Sequence, residues 1–133
     1  MKKTSFHRVS KTPLSVMRKK CDAEMQRVGK VKFPRSIISG LPTDVMHHYI
    51  PKSCSSVLRY DWDNLVPLTT EEHCRLHQSP DPTNNNLILA AKGMEWFNQL
   101  KIKSRAYNKV NRQYYEQILI RLQNENPEDS TIG

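Results

Sequence analysis

The sequence predicts an α+β domain, and three observations carry that prediction. Two short extended segments, "DVMHHYIP" and "NLVPL", lie near each other in mid-chain. A capped helix, "TTEEHCRLHQS", follows directly, and apolar residues at helical spacing run through the flanking segments. One domain over 1–133 suits a chain of this length. It divides into a basic N-terminal helix and loop (1–42), a strand–loop–strand–helix core (43–80), two C-terminal helices (84–123) and a frayed tail (124–133).

The first helix is "TPLSVMRKKCDAEMQRVGK". Thr12 can cap it, Pro13 suits its first turn and Gly29 can end it. Leu14, Met17, Cys21, Met25 and Val28 recur on one face and should be core. "KFPRSIISGLPTD" reads as a loop with a short strand at Ile37 and Ile38. The two mid-chain strands are joined by "KSCSSVLRYDWD", too long for a tight hairpin. Thr69 with Glu72 three residues on is a capping box, so the next helix should begin near Thr70 and stop before "SPDPTNNN". Leu87, Ala91, Met94, Phe97 (or Trp96) and Leu100 form one later stripe. Tyr107, Val110, Tyr114, Ile118 and Leu122 form another, with a break near Ser104.

Composition narrows the function. No apolar run approaches the roughly 20 residues a membrane helix needs. The start, "MKKTSFHRVSKTP", has no apolar stretch behind its charge, so no signal peptide is expected. Cys21, Cys54 and Cys74 are odd in number and form no CxxC pair, which favours free thiols and a reducing, cytoplasmic setting. Net charge is +8, and residues 1–35 hold eleven of the 21 Lys and Arg against only Asp22 and Glu24. Such a basic end is the footprint of a polyanion binder.

Four of the five histidines fall in residues 44–78. His73 and His77, four apart on a helix, share one face, the spacing two imidazoles need to bind one ion. His47 and His48 are neighbours on a strand and must point to opposite faces. One of them can complete a three-nitrogen site. The other can stand beside the ion as a neutral base, since an unperturbed imidazole titrates near 6.5.

The set His47-His48, Asn64, His73 and His77, with the flanking "HHYIPKS", "NLVPLT" and "EEHCRLH", resembles the HNH (His-Me finger, ββα-metal) endonucleases. "VLRYDWDNLVPL" and the trailing helices are similar to phage recombination endonucleases of the NinG (Rap) type. The resemblance implies a small ββα-metal core and a DNA endonuclease, phage-encoded and acting in the host cytoplasm. His47, His73 and His77 would be ligands to one divalent metal ion and His48 the general base. Asn64 would brace the loop and orient that base. The products would carry 5′-phosphate and 3′-hydroxyl ends, and branched recombination intermediates become plausible targets. Three neutral nitrogens favour Zn, Ni, Co or Mn, while Mg often supports activity in the family.

The sequence departs from the family in one respect. Where many members carry a Cys-x-x-Cys pair for a structural zinc, Thr69 and Glu72 stand here. Cys74 projects about 100° away from His73 and cannot replace that pair. Arg59 could grip a DNA phosphate or pair with Asp61 or Asp63. Lys52, Arg18, Lys19 and Lys20 are further DNA-contact candidates. Asp44 could brace a metal ligand or simply cap a turn. No sequence-reading motif is visible, so DNA shape or a protein partner should supply targeting. The competing readings are a partner-guided defence or homing nuclease, and an inactive metal-stabilised DNA-binding module.

Overall fold

The structure, a computed structural model, describes residues 12–125. The basic start before Thr12 and the tail after Glu125 lie outside the described residues. Between them the chain is α+β: five α-helices and one two-stranded antiparallel sheet among the described residues. The order is α1 (Leu14–Lys32), β1 (Val45–His48), a 3₁₀ turn (Trp62–Asn64), β2 (Leu65–Leu68), α2 (Thr70–Gln78), α3 (Thr83–Lys92), α4 (Met94–Ser104) and α5 (Arg112–Asn124). No helix among them is long and apolar enough to cross a membrane.

The sheet works as a partition. In the register Val45 faces Leu68, His47 faces Val66 and His48 faces Leu65. Alternation sends Met46 and Leu65 to one side, into a core with Met17, Cys21, Met25 and Val28 of α1 and Tyr115 and Leu122 of α5. Val66 and Leu68 bury on the other side with Ile88 of α3, where Val45, Tyr49, Leu76 and Trp96 pack against them. One thin sheet thus separates two apolar clusters.

Several expected details are corrected. Gly29 does not end α1: the helix runs to Lys32, and Gly29 is buried within it. A Cβ there would lie 2.5 Å from Met46 Cγ and 3.1 Å from Trp62. The glycine is required for close approach, a demand invisible from its position alone. The N-cap is Pro13 with no side-chain bond, and the Thr12 carbonyl instead accepts from Arg112. Leu14 is exposed. The strand expected at Ile37 and Ile38 is a turn, bounded by a single bridge between Arg35 and Pro42. Ser36 Oγ accepts from Ile38 and Ser39 N–H groups, which curls the segment back.

The C-terminal region holds three helices where two were expected. Gly93, at φ +92°, breaks the first stripe into α3 and α4. The buried residue of α3 is Ile88, while Leu87 and Met94 face solvent. In the second stripe Tyr107 and Val110 lie exposed before α5 begins, and Tyr115 and Leu122 are its buried members.

Replacing Gly29 by Ala tests the close approach. An interior helical glycine normally gains about 0.5–1 kcal/mol on that change. Here the methyl must displace a buried methionine, an overpacking cost of about 1–3 kcal/mol. Urea unfolding should show net destabilisation, and a stabilised variant would refute the tight contact.

Candidate metal centre

The helix that carries two of the histidines is fixed at its N-terminus by four separate bonds. Thr69 Oγ1 accepts from Glu72 N (3.2 Å) and Glu72 Oε1 accepts from Thr69 N (2.8 Å), the expected capping box. Ser36 Oγ donates to the same Glu72 oxygen at 2.6 Å, tying the 34–44 turn to the helix. Asp44 Oδ2 accepts from Thr70 N at 2.9 Å, so Asp44 caps α2. These bonds set the direction in which His73 and His77 leave the helix.

On β1, His47 points toward that helix. Its ring centroid lies 5.1 Å from His73 and 5.5 Å from His77. Ligand-capable nitrogens of the three all lie within 4.8 Å of one another, and the Nε2 atoms of His73 and His77 are 3.0 Å apart. Two nitrogens on a tetrahedral zinc at about 2.0–2.1 Å would stand about 3.3 Å apart. The His73–His77 pair is close to that spacing, and the three nitrogen-donor rings present the donor chemistry that suits a divalent ion. Burial first, then the charges of His73, His77 and His48, push the His47 imidazole down to about 3. Burial and the neighbouring His77 lower His73 as well. Both rings are therefore neutral at physiological pH, the form that ligates.

His48 leaves the opposite face of the strand. Its Nε2 lies 2.9 Å from the Arg59 carbonyl oxygen. A carbonyl only accepts, so Nε2 must carry the proton and Nδ1 keeps a free lone pair. Burial lowers its proton affinity; the carbonyl bond opposes this, and the charges of Lys52 and Arg59 add to the lowering. His48 is thus a neutral imidazole with one nitrogen available. It lines a cleft of about 710 Å³ that it shares with His47, His73, His77 and Lys52.

Asn64 is fully buried and spans the long loop between the strands. Its Oδ1 accepts from Ile50 N (2.8 Å), and its Nδ2 donates to the carbonyls of Ile50 (2.9 Å) and Leu58 (3.3 Å). It braces the loop, as expected, but it does not reach His48. The direct contact is the Arg59 carbonyl, one residue beyond the carbonyl that Asn64 holds.

Arg59 itself is corrected. Its side chain pairs with neither Asp61 nor Asp63. It forms a two-pronged bond to Asp22 of α1, at 3.1 and 2.7 Å, and Tyr60 adds a third bond to that carboxylate at 2.7 Å. Lys103 takes Asp61 and Asp63. Lys52 borders the cleft, while Arg18, Lys19 and Lys20 are exposed along α1.

Sequence reasoning missed two residues. Gln26 donates to the Met46 carbonyl (2.8 Å) and accepts from Met46 N (2.9 Å), so one amide side chain acts as a partner strand for β1. Asp22 anchors the segment that holds His48. They sit four apart on one face of a strongly basic helix, a neutral amide and a rare acid beside the apolar stripe. That spacing was the available signal. Compared with family models, curated proteins and solved structures, the chain finds no match in any of the three, and its site is read from its own geometry.

The Asp22–Arg59 pair predicts an acid-sensitive structure. Burial alone would raise the Asp22 carboxyl, but the bonds from Arg59 and Tyr60 outweigh it and hold it below the ordinary 3.8. The folded protein thus binds that proton less readily than the unfolded chain. The stabilisation is complete above about pH 4 and is lost as pH falls through the folded-state value. Asp22→Asn should lower stability at pH 7 by about 1.5–3 kcal/mol, the range for a hydrogen bond to a charged group. It should also flatten the acid limb of a melting-temperature profile. A parallel downward shift of the whole profile would argue against the pair.

Proposed function

We propose that the protein is a metal-dependent DNA endonuclease of the ββα-metal type. The observation that supports it most is that two adjacent strand histidines face different surroundings. His47 joins a three-imidazole cluster, and His48 is held by a carbonyl in the tautomer that leaves Nδ1 free. His47, His73 and His77 would hold one divalent ion, which when bound supplies Lewis-acid neutralisation of charge at a phosphate oxygen. His48 Nδ1 takes a proton from water as the oxygen attacks phosphorus, the bond to O3′ breaks, and the departing O3′ takes a proton from a solvent water. The products are a 5′-phosphate and a 3′-hydroxyl. Arg59 contributes through its main chain, which orients His48, and Lys52 stands where the backbone of a bound strand would pass the cleft.

Nicking of supercoiled plasmid with and without Zn, Mn, Ni, Co or Mg tests the activity. Cleavage in none of them would leave a binding module in place of an enzyme. In an active preparation, His48→Ala should abolish nicking while calorimetric metal affinity stays within a few fold. His73→Ala and His77→Ala should lose metal and activity together. A His48 variant that lost the metal would reverse the two strand roles.

The exposed cations of α1 give a second test. Neutralising Arg18, Lys19 and Lys20 together should flatten the log–log salt dependence of DNA binding by up to about 3 units, at about 0.9 per phosphate contact. The cleavage rate at saturating DNA should hardly change. An unchanged slope with an intact fold would turn that face away from DNA.

A further inference from the structure

The segment between α4 and α5, "RAYNKVN" over residues 105–111, is absorbed by neither the core nor the histidine cluster. Tyr107 is 90% exposed, so its ring contributes almost nothing to packing. Arg105 and Lys109 flank it, both exposed, and neither makes an ion pair among the described residues. The segment is nonetheless anchored just after the ring. Asn111 Oδ1 caps α5 through Tyr114 N, at 2.9 Å. Asn108 is hydrogen-bonded to Ser56 Oγ, and Tyr114 Oη donates to the Ser56 carbonyl at 2.8 Å. Ser56 lies three residues before Arg59, the residue whose carbonyl holds His48, so their Cα atoms are at most about 11 Å apart. Beside the loop lies a groove of about 500 Å³ lined by the amides of Asn108, Asn111, Gln113 and Gln117 together with Lys109 and Tyr114.

An exposed aromatic ring on a fixed loop, two free cations and a row of amides form the chemistry that grips unstacked bases. In intact duplex the base faces are covered, and such a ring has nothing to stack on. We propose that Tyr107 stacks on an unpaired base of the DNA substrate, with Arg105 and Lys109 on the adjoining phosphates. This would favour gapped or branched DNA over plain duplex. The inference rests on the nuclease reading for the identity of its ligand.

The test is binding in EDTA, which needs no catalysis. Labelled duplex is compared with the same duplex carrying a short gap that contains 2-aminopurine. Tyr107→Ala should weaken gap binding roughly 5- to 100-fold, leave duplex binding within about twofold, and abolish quenching of the 2-aminopurine; Tyr107→Phe should restore all three. Equal losses on both DNAs, or no loss, would overturn the proposal. If the alanine variant misfolds, the wild type decides, since an unquenched 2-aminopurine in its complex also overturns it. Plasmid nicking run in parallel separates the two readings. Nicking with Tyr107-independent binding sinks only the stacking site, whereas Tyr107-dependent gap binding without nicking in any metal sinks only the nuclease.

Discussion

A two-stranded sheet with four-residue strands is marginal by itself, and everything else in this protein depends on how its edges and faces are covered. The outer edge of β1 is closed at Met46 by one side chain, Gln26, whose amide supplies both a donor and an acceptor. The outer edge of β2 carries Pro67, which has no N–H to leave bare, and its carbonyl accepts from Ile37 at 3.0 Å. Both faces are then buried, one by α1 and α5 and the other by α2, α3 and α4. Gln26 can reach the strand only because Gly29, one turn further on, lets the helix backbone settle against Met46.

The partition has a chemical consequence. Because β1 divides two cores, its neighbouring residues meet different surroundings without any special backbone geometry. His47 emerges among other imidazoles, where burial and like charges both disfavour protonation. His48 emerges against a main-chain carbonyl, which fixes its tautomer. Two copies of one residue type thus acquire distinct properties because the pleat turns them toward different neighbours.

The parts of this arrangement that were legible in the sequence are those governed by local rules. The Thr69–Glu72 box located the start of α2, and alternation forecast that His47 and His48 would part company. What was missed depends on contacts between distant segments. A glycine that ends a helix and one that admits a neighbour look alike until Met46 and Trp62 are known to press on it. The stripe through Leu87 and Met94 was consistent with one long helix, but Gly93 turns the chain and shifts burial to Ile88. Tyr107 and Val110 kept the helical spacing of α5 without belonging to it, because a loop can continue a period by chance. Arg59 had two nearby acids as obvious partners, yet the acid it meets is 37 residues away in sequence.

That last contact changes the role of the first helix. From sequence, α1 offered core residues on one face and positive charge on the other. In the structure it also places both strand histidines, through two polar residues one turn apart. Gln26 holds Met46, the neighbour of His47. Asp22 holds Arg59, whose carbonyl holds His48. The 51–60 loop between the strands has no regular ladder of its own. Its shape is therefore set by what grips it: Asn64 at Ile50 and Leu58, Tyr114 at Ser56, and Asp22 at Arg59. Any motion of α1 relative to the sheet must move the carbonyl against His48 and the edge beside His47 together. The three-histidine cluster and His48 are coupled through one helix that contributes no atom to either.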